Sequence, residues 1–331
     1  MAENNEKVIG IPRAMSFYHN YPFYHGFFSA LGIKIILSDV TTKQTLSRGS
    51  ALVVTETCLP IKIYVGHVLN LIDKGVKNIL IPSIQSVDYK IYNCSKIRGL
   101  PDLIRNVVKK DFNIIEATLD KSEKNQGLYE FLKECVAPFG ITDEKAIKEA
   151  SKAGWRTYNN FHIMSKSGMS YKKAMNYALQ GKVFIESSTK EYPISIALVA
   201  HGYNIYDDRA SMKIIEKLEK MDVKVYTSLQ LSKEQTLEGI NALGEKLYWA
   251  NEFEMTGTAG HYMKDNKIDG LIALNAFGCG PDSLMIERII RKAKQFNKPI
   301  LHLTIDEQTG EAGFITRLEA FVDMLFRKKR A

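Results

Sequence analysis

The chain is sparing with the residues that mark special-purpose proteins: its 331 residues include four cysteines, two tryptophans and nine prolines. Four thiols (Cys58, Cys94, Cys135 and Cys279) are too few to frame so long a chain with disulfides, and point to metal or redox use instead. No apolar run approaches the roughly 20 residues needed to cross a bilayer; the longest, such as 194–200, have the length of strands. The first seven residues, Met-Ala-Glu-Asn-Asn-Glu-Lys, lack the basic-then-apolar layout of a secretory signal. A cytoplasmic protein without membrane contact is therefore expected. No Gly-x4-Gly-Lys-Ser/Thr loop and no Gly-x-Gly-x-x-Gly after a strand is found, so neither a P-loop ATPase nor a dinucleotide enzyme is supported. The net charge is +8, but the lysines form no aromatic-interleaved patch. The basic tail Arg327-Lys-Lys-Arg330 suits the C-terminal end of a last helix, and no nucleic-acid partner is expected.

What is present is an alternation. Strand-like runs at 8–11, 33–37, 51–54, 79–82 and 112–115 are interleaved with helical patterns at 23–31 and 61–74, which predicts a parallel sheet. From about 120 to 180 helical periods dominate. The polar stretch 186–190 is the best linker. A second set follows: strands at 194–200, 223–226, 271–275 and 300–304, with helices at 210–219, 283–296 and 313–326. The expected fold is α/β, with two related Rossmann-like (flavodoxin-like) parallel-sheet lobes over 1–118 and 186–331, a helical insert at 119–185, and a ligand site in the cleft between lobes. The relation between halves is read from matching order: Ile9-Gly-Ile-Pro-Arg with Leu198-Val-Ala-His-Gly, Leu31-Gly-Ile-Lys-Ile with Met221-Asp-Val-Lys-Val, and Gly66-His67 with Gly260-His261.

Three thiols sit in turn-rich stretches after apolar runs: Cys58 in Thr-Glu-Thr-Cys-Leu-Pro, Cys94 in Tyr-Asn-Cys-Ser-Lys and Cys279 in Phe-Gly-Cys-Gly-Pro-Asp. Under the internal match Cys94 and Cys279 occupy comparable places, and Cys58 falls near Glu252. Gaps of 35 and 184 residues fit neither the paired knuckles of structural zinc nor compact ferredoxin patterns. They suit loops from separate strands holding one metal or cluster, with one position open. Pro60 and Pro281 stiffen the turns, and Gly278 and Gly280 allow close backbone approach and amide donors. Asp282 and Ser283 read as N-caps of a helix whose positive end would lower the Cys279 thiol pKa. The competing reading of any one such cysteine is a buried small hydrophobe. Cys135, on an apolar helical face with Leu128, Phe131 and Leu132, is assigned to the core. Arg13, Tyr18 and His19, with His201, Asn204 and Asp207, follow the first strand of each half and read equally as cleft or cap residues. Glu56 is a cluster neighbour, proton carrier or turn residue; His67 and His261 read as satisfied helix residues. Asp306, Glu307 and Glu311 follow the last strand and are unspecific acid–base candidates.

These stretches resemble the proteins related to 2-hydroxyacyl-CoA dehydratases and their activases. The resemblance is carried by Ile9-Gly-Ile-Pro-Arg, Glu56-Thr-Cys-Leu-Pro, Cys94 with Gly99-Leu-Pro-Asp, His201-Gly-Tyr-Asn-Ile-Tyr-Asp, Ala276-Phe-Gly-Cys-Gly-Pro-Asp-Ser and Thr304-Ile-Asp-Glu-Gln-Thr-Gly-Glu-Ala-Gly. It implies an oxygen-sensitive [4Fe-4S] protein of an anaerobe with Cys58, Cys94 and Cys279 as ligands. A larger double cluster and a homodimer are compatible with it. It further implies an ATP-hydrolysing activase, or another electron donor, feeding a difficult reduction or dehydration of an acyl-CoA or other small molecule. One departure stands at the second cysteine, where the family often has Cys-Pro-Lys and this chain has Cys94-Ser-Lys. The alternatives are a non-catalytic electron relay or cluster carrier, and a zinc or small-ligand binding protein.

Overall fold

The computed structural model describes residues 7–185, 190–244, 247 and 249–330, without the side chain of residue 251. The proposed linker 186–190 lies outside the described residues except for Lys190. The chain divides into two compact units. Met1–Thr57, Ile61–Ser165 and Met169–Ile185 form the first; Cys58–Pro60, Lys166–Gly168 and Glu186–Ala331 form the second.

The first unit begins β1 (Val8–Ile11), α1 (Phe17–Ala30), β2 (Lys34–Leu37), α2 (Lys43–Ser50), α3 (Leu59–Asp73) and β3 (Asn78–Leu80). It continues with β4 (Ser83–Asp88), β5 (Ile91–Tyr92), α4 (Ser95–Arg98), α5 (Leu100–Val107), β6 (Asn113–Ile115) and β7 (Thr118–Asp120), then α6 (Leu128–Val136), α7 (Glu144–Lys166) and α8 (Tyr171–Leu179). Its main sheet has the order β2-β1-β3-β6, all parallel. Strands β4, β5 and β7 make a separate three-stranded sheet that the sequence pattern did not announce. Helix α1 is aromatic nearly all round, with Phe27 and Phe28 fully buried. It presses on α7 so closely that a Cβ on Gly26 would lie 2.6 Å from the Ala153 carbonyl oxygen. Cys135 is fully buried on α6 beside Phe131 and Leu132, as its helical face predicted.

The second unit comprises β8 (Ile194–Val199), α9 (Gly202–Ile205), α10 (Ile214–Lys220), β9 (Val223–Tyr226) and α11 (Lys233–Leu243), followed by α12 (Ala250–Lys264), β10 (Gly270–Ala276), α13 (Gly280–Gln295), β11 (Ile300–Ile305) and α14 (Glu311–Arg330). Its parallel sheet is β9-β8-β10-β11. Side chains alternate across a strand. Ala197, Val199, Leu271 and Ala273 accordingly pack with Met255, Ala259, Met285 and Ile289 of α12 and α13. On the other face Gly270 meets Phe321 and Leu325 of α14. Helices on both faces explain why all seven residues of β10 are buried and apolar or small, apart from Asn275.

Both sheets read 2-1-3-4 in their own chain order, which is the order of a flavodoxin-like half. The likeness extends to the helix pair after the second strand. Cβ atoms on Gly49 and Gly66 would overlap the Lys62 and Thr45 carbonyl oxygens where α2 crosses α3, and on Gly239 and Gly260 the Gly257 and Gly239 oxygens where α11 crosses α12. The N-caps Thr42 and Ser232 both close capping boxes, with Thr45 and Gln235. Each helix pair thus crosses backbone to backbone at the same place in the repeat.

Several sequence expectations are corrected. Residues 51–54 form no strand; they are the turn after α2, with Leu52 and Val54 exposed. An apolar run that short has no structure of its own until a sheet takes it up, and this one joins neither edge of the β2-β1-β3-β6 sheet. Helices α2, α11 and α12 were not foreseen, because their glycines interrupt the apolar period. Helix α1 starts at Phe17 rather than 23, and α10 at Ile214 rather than 210. Helix α13 starts at Gly280 with Cys279 as N-cap residue, so Asp282 and Ser283 lie inside the first turn.

Candidate functional site

In a 2-1-3-4 sheet the first and third strands are neighbours whose chains leave in opposite directions, and ligands gather beyond their carboxyl ends. In the second unit this place lies after β8 and β10. Beyond β8 the chain turns at His201 into α9. Beyond β10 it turns at Gly278, whose φ of 76° suits a residue without a side chain, and enters α13 at Cys279.

The two turns are joined through one imidazole. His201, 2% exposed, has Nε2 2.9 Å from Asp282 Oδ1 and Nδ1 3.2 Å from Glu254 Oε2. Both partners are acceptors, so both ring nitrogens donate and the ring is an imidazolium. Burial by itself would lower the His201 pKa, but the Asp282 and Glu254 carboxylates raise it from 6.5 to about 10. Tyr203 stacks on the ring at 5.0 Å, and Ser228 Oγ donates to Glu254 Oε1 at 2.7 Å. His201 was a foreseen candidate. Asp282 was read as a cap, and Glu254 carried no signal, since it stands on α12, a helix the pattern did not reveal. Asn204, also foreseen, is 1% exposed on α9, and neither of its side-chain polar atoms has a hydrogen-bond partner. Asp282 Oδ2 is likewise buried without one.

The three cysteines share one local device: each stands at the N-terminal end of a helix. Cys58 directly precedes α3, Cys94 is the N-cap residue of α4, and Cys279 that of α13. The expected downward pull of the helix start on the Cys279 pKa is present but outweighed. Burial, then the Asp282 carboxylate, push that thiol well up, with a further upward push from Cys58, against the smaller downward pull of the Asp282 backbone amide. Cys58, 8% exposed, belongs with Cys279 to the second unit. Cys58 does not follow a strand, since α2 and a turn come before it. Cys94 does not directly follow β3, because β4 and β5 intervene. Among the described residues no group of three or more His, Cys, Asp or Glu side chains is arranged to hold a metal ion. The donor chemistry of Cys58 and Cys279 suits a soft metal, but a gathered set of three is not found.

The remaining candidates divide. In the first unit Arg13 Nε donates to the Ser38 carbonyl at 2.6 Å, and Tyr18 Oη donates to the Arg13 carbonyl at 3.4 Å. Arg13 thus ties the loop after β1 to the residue after β2. Tyr206 does the same in the second unit, donating to Thr227 Oγ1 at 2.8 Å. Asp207 accepts from the Arg209 and Ala210 amides, and Asp306 from Gln308 and Thr309, so both are turn residues. Glu56 is exposed, and a Cβ on Gly280 would meet nothing within 4 Å, so that glycine serves no close approach. Buried His67, 2.9 Å from Thr41 Oγ1, is kept neutral: burial, with Arg13 nearby, brings its pKa down to about 3. With Gly66 set on Gly260, Cys58 falls on Glu252, a buried carboxylate that accepts the Trp249 amide at 3.0 Å.

Residues 8–231 match the family described as CoA enzyme activase uncharacterised domain (DUF2229). The chain belongs to this family. The match spans the first unit from Val8 onward and the second as far as Leu231, so it includes Cys58, Cys94, His201 and Asn204 but stops short of Glu254, Cys279 and Asp282. No curated protein matches the chain. Among the described residues no helix is long and apolar enough to cross a membrane.

Proposed function

We propose that this activase-related protein is an iron–sulfur component that accepts low-potential electrons from an ATP-hydrolysing activase. Cys58, Cys94 and Cys279 would hold a [4Fe-4S] cluster and leave one iron open for a reduction or dehydration. What carries the reading is the placement of these three cysteines alone at helix N-terminal ends, with the Cys279 thiol feeling Cys58. Cys135 lies fully buried within α6. Membership of the activase-related family supports the partner. When bound, the cluster would supply one-electron chemistry. The chain's own contribution would be to present Cys58, Cys94 and Cys279 at helix starts, where unpaired backbone amides favour the negative charge of thiolate. The raised Cys279 pKa means that metal must displace a proton from that thiol, so loading is favoured as pH rises.

The decisive experiment is iron and acid-labile sulfide content after strictly anaerobic purification, with the visible spectrum. Four irons and four sulfides per chain, lost in Cys58→Ser, Cys94→Ser and Cys279→Ser and retained in Cys135→Ser, are expected. A colourless protein carrying zinc, or iron retained in all three single variants, refutes the reading. Electron transfer is tested separately, by ATP-dependent reduction of the loaded protein with the activase; failure there with iron present leaves a cluster carrier.

A further inference from the structure

An open sheet ends in strands whose outer N–H and C=O groups lack a partner, and proteins protect such edges with charge, proline, bulges or brevity. Five of the edges here follow that rule. β2 and β9 carry exposed Lys34 and Lys224, and β5, β6 and β7 are two or three residues long. β11 does not. It closes the second unit's sheet with six residues, Ile-Leu-His-Leu-Thr-Ile, all in unbroken register with β10 and none charged. The Leu271 amide donates to the Pro299 carbonyl and the Phe277 amide to the Ile305 carbonyl. Leu301, Leu303 and Ile305 therefore turn their backbone groups to β10, and Ile300, His302 and Thr304 turn theirs outward. The two exposed polar side chains on this edge do not shield it. His302 Nε2 and Thr304 Oγ1 each lie 3.0 Å from Asn275 Oδ1, folded back toward β10.

We propose that β11 is the interface of a homodimer, pairing antiparallel with β11 of a second copy across a twofold axis and joining two four-stranded sheets into one. Such a contact requires a surface that complements itself, and this edge does. With His302 opposite His302 of the second copy, Ile300 faces Thr304. Each outward residue then exchanges both backbone bonds with its opposite, about six hydrogen bonds in all. The same register sets Lys298, just before the strand, against Asp306, just after it, so opposite charges meet at both ends. A foreign strand would need none of this symmetry. The inference concerns the sheet edge of the second unit and does not depend on iron at the cysteines.

The test is sedimentation of the full-length protein at on the order of 10 μM, where a species of twice the 37.5 kDa chain mass is expected. His302→Lys and His302→Glu each bring like charges face to face and should each sediment as monomers. Mixed in equal amounts, they should restore the doubled mass as one of each. Amide hydrogen exchange reads register and fold together. The His302 and Thr304 amides should be protected in wild type and exchange freely in His302→Lys, with those of Leu301 and Leu303 protected in both because they bond to β10. Wild type that stays monomeric up to on the order of 100 μM, a His302→Lys protein that still dimerises, or two folded variants that stay monomeric when mixed overturns the proposal. Should both variants unfold, wild type decides: protection of its His302 and Thr304 amides that does not rise with protein concentration overturns it equally.

Discussion

Replacing His201 by glutamine removes a buried cation from between two carboxylates, and its cost can be worked from the structure. The rise of the imidazole pKa from 6.5 to about 10, at roughly 1.4 kcal/mol per pH unit, makes its proton worth up to about 5 kcal/mol to the fold. Breaking a buried pair by deleting one partner usually costs about 3–5 kcal/mol, so the two routes agree. The folded pKa is raised, so this stability is fully present below pH 6.5 and is lost as pH climbs toward 10. Between pH 6 and pH 9 the advantage of wild type over His201→Gln should therefore shrink by about 3 kcal/mol. Trp155 lies in the first unit and Trp249 in the second, and the chain has only these two. In a Trp155→Phe background, urea unfolding followed by fluorescence thus reports the second unit. A variant as stable as wild type at pH 6, or an advantage that stays flat from pH 6 to 9, would show that the ring is neutral and one of its hydrogen bonds misassigned.

Other consequences are open to simpler measurements. Alkylation of Cys279 in metal-free protein should keep accelerating with pH beyond 9, because burial and Asp282 raise its pKa; a plateau near pH 8 would contradict that environment. Gly66→Ala and Gly260→Ala should destabilise by about 3 kcal/mol or more, although alanine ordinarily gains about 1 kcal/mol over glycine inside a helix. The added Cβ would strike the Thr45 and Gly239 carbonyls, and thermal melts showing stabilisation would mean the helices do not cross there. Cys135→Ala should cost about 1–2 kcal/mol through a small cavity and leave metal content unchanged; loss of iron in that variant would place Cys135 among the ligands.

The alternation of strands and helices, the repeat of the two halves and the burial of Cys135 could all be read from the chain itself. They rest on local periodicity and on matching residue order, which tertiary contacts seldom reverse over long segments. The placing of Arg13 and His201 in corresponding loops proved structurally apt, since both stand just after the first strand of a sheet. The run 51–54 misled because an apolar stretch of four residues takes strand structure only where a sheet receives it. Helices α2 and α12 escaped notice for the opposite reason: their glycines, poor helix formers, are there to let two backbones touch.

The sequence by itself determined the fold class, the doubling of a parallel α/β unit and the list of thiols worth watching. Only the tertiary structure decided their chemistry. Asp282 looked like a cap until β8 and β10 came side by side and set its carboxylate on His201. Glu254 lies 53 residues from that histidine in the chain. A charge is read from one residue, but a pKa depends on which charges surround it and how much water is excluded, and those are fixed only when distant segments pack.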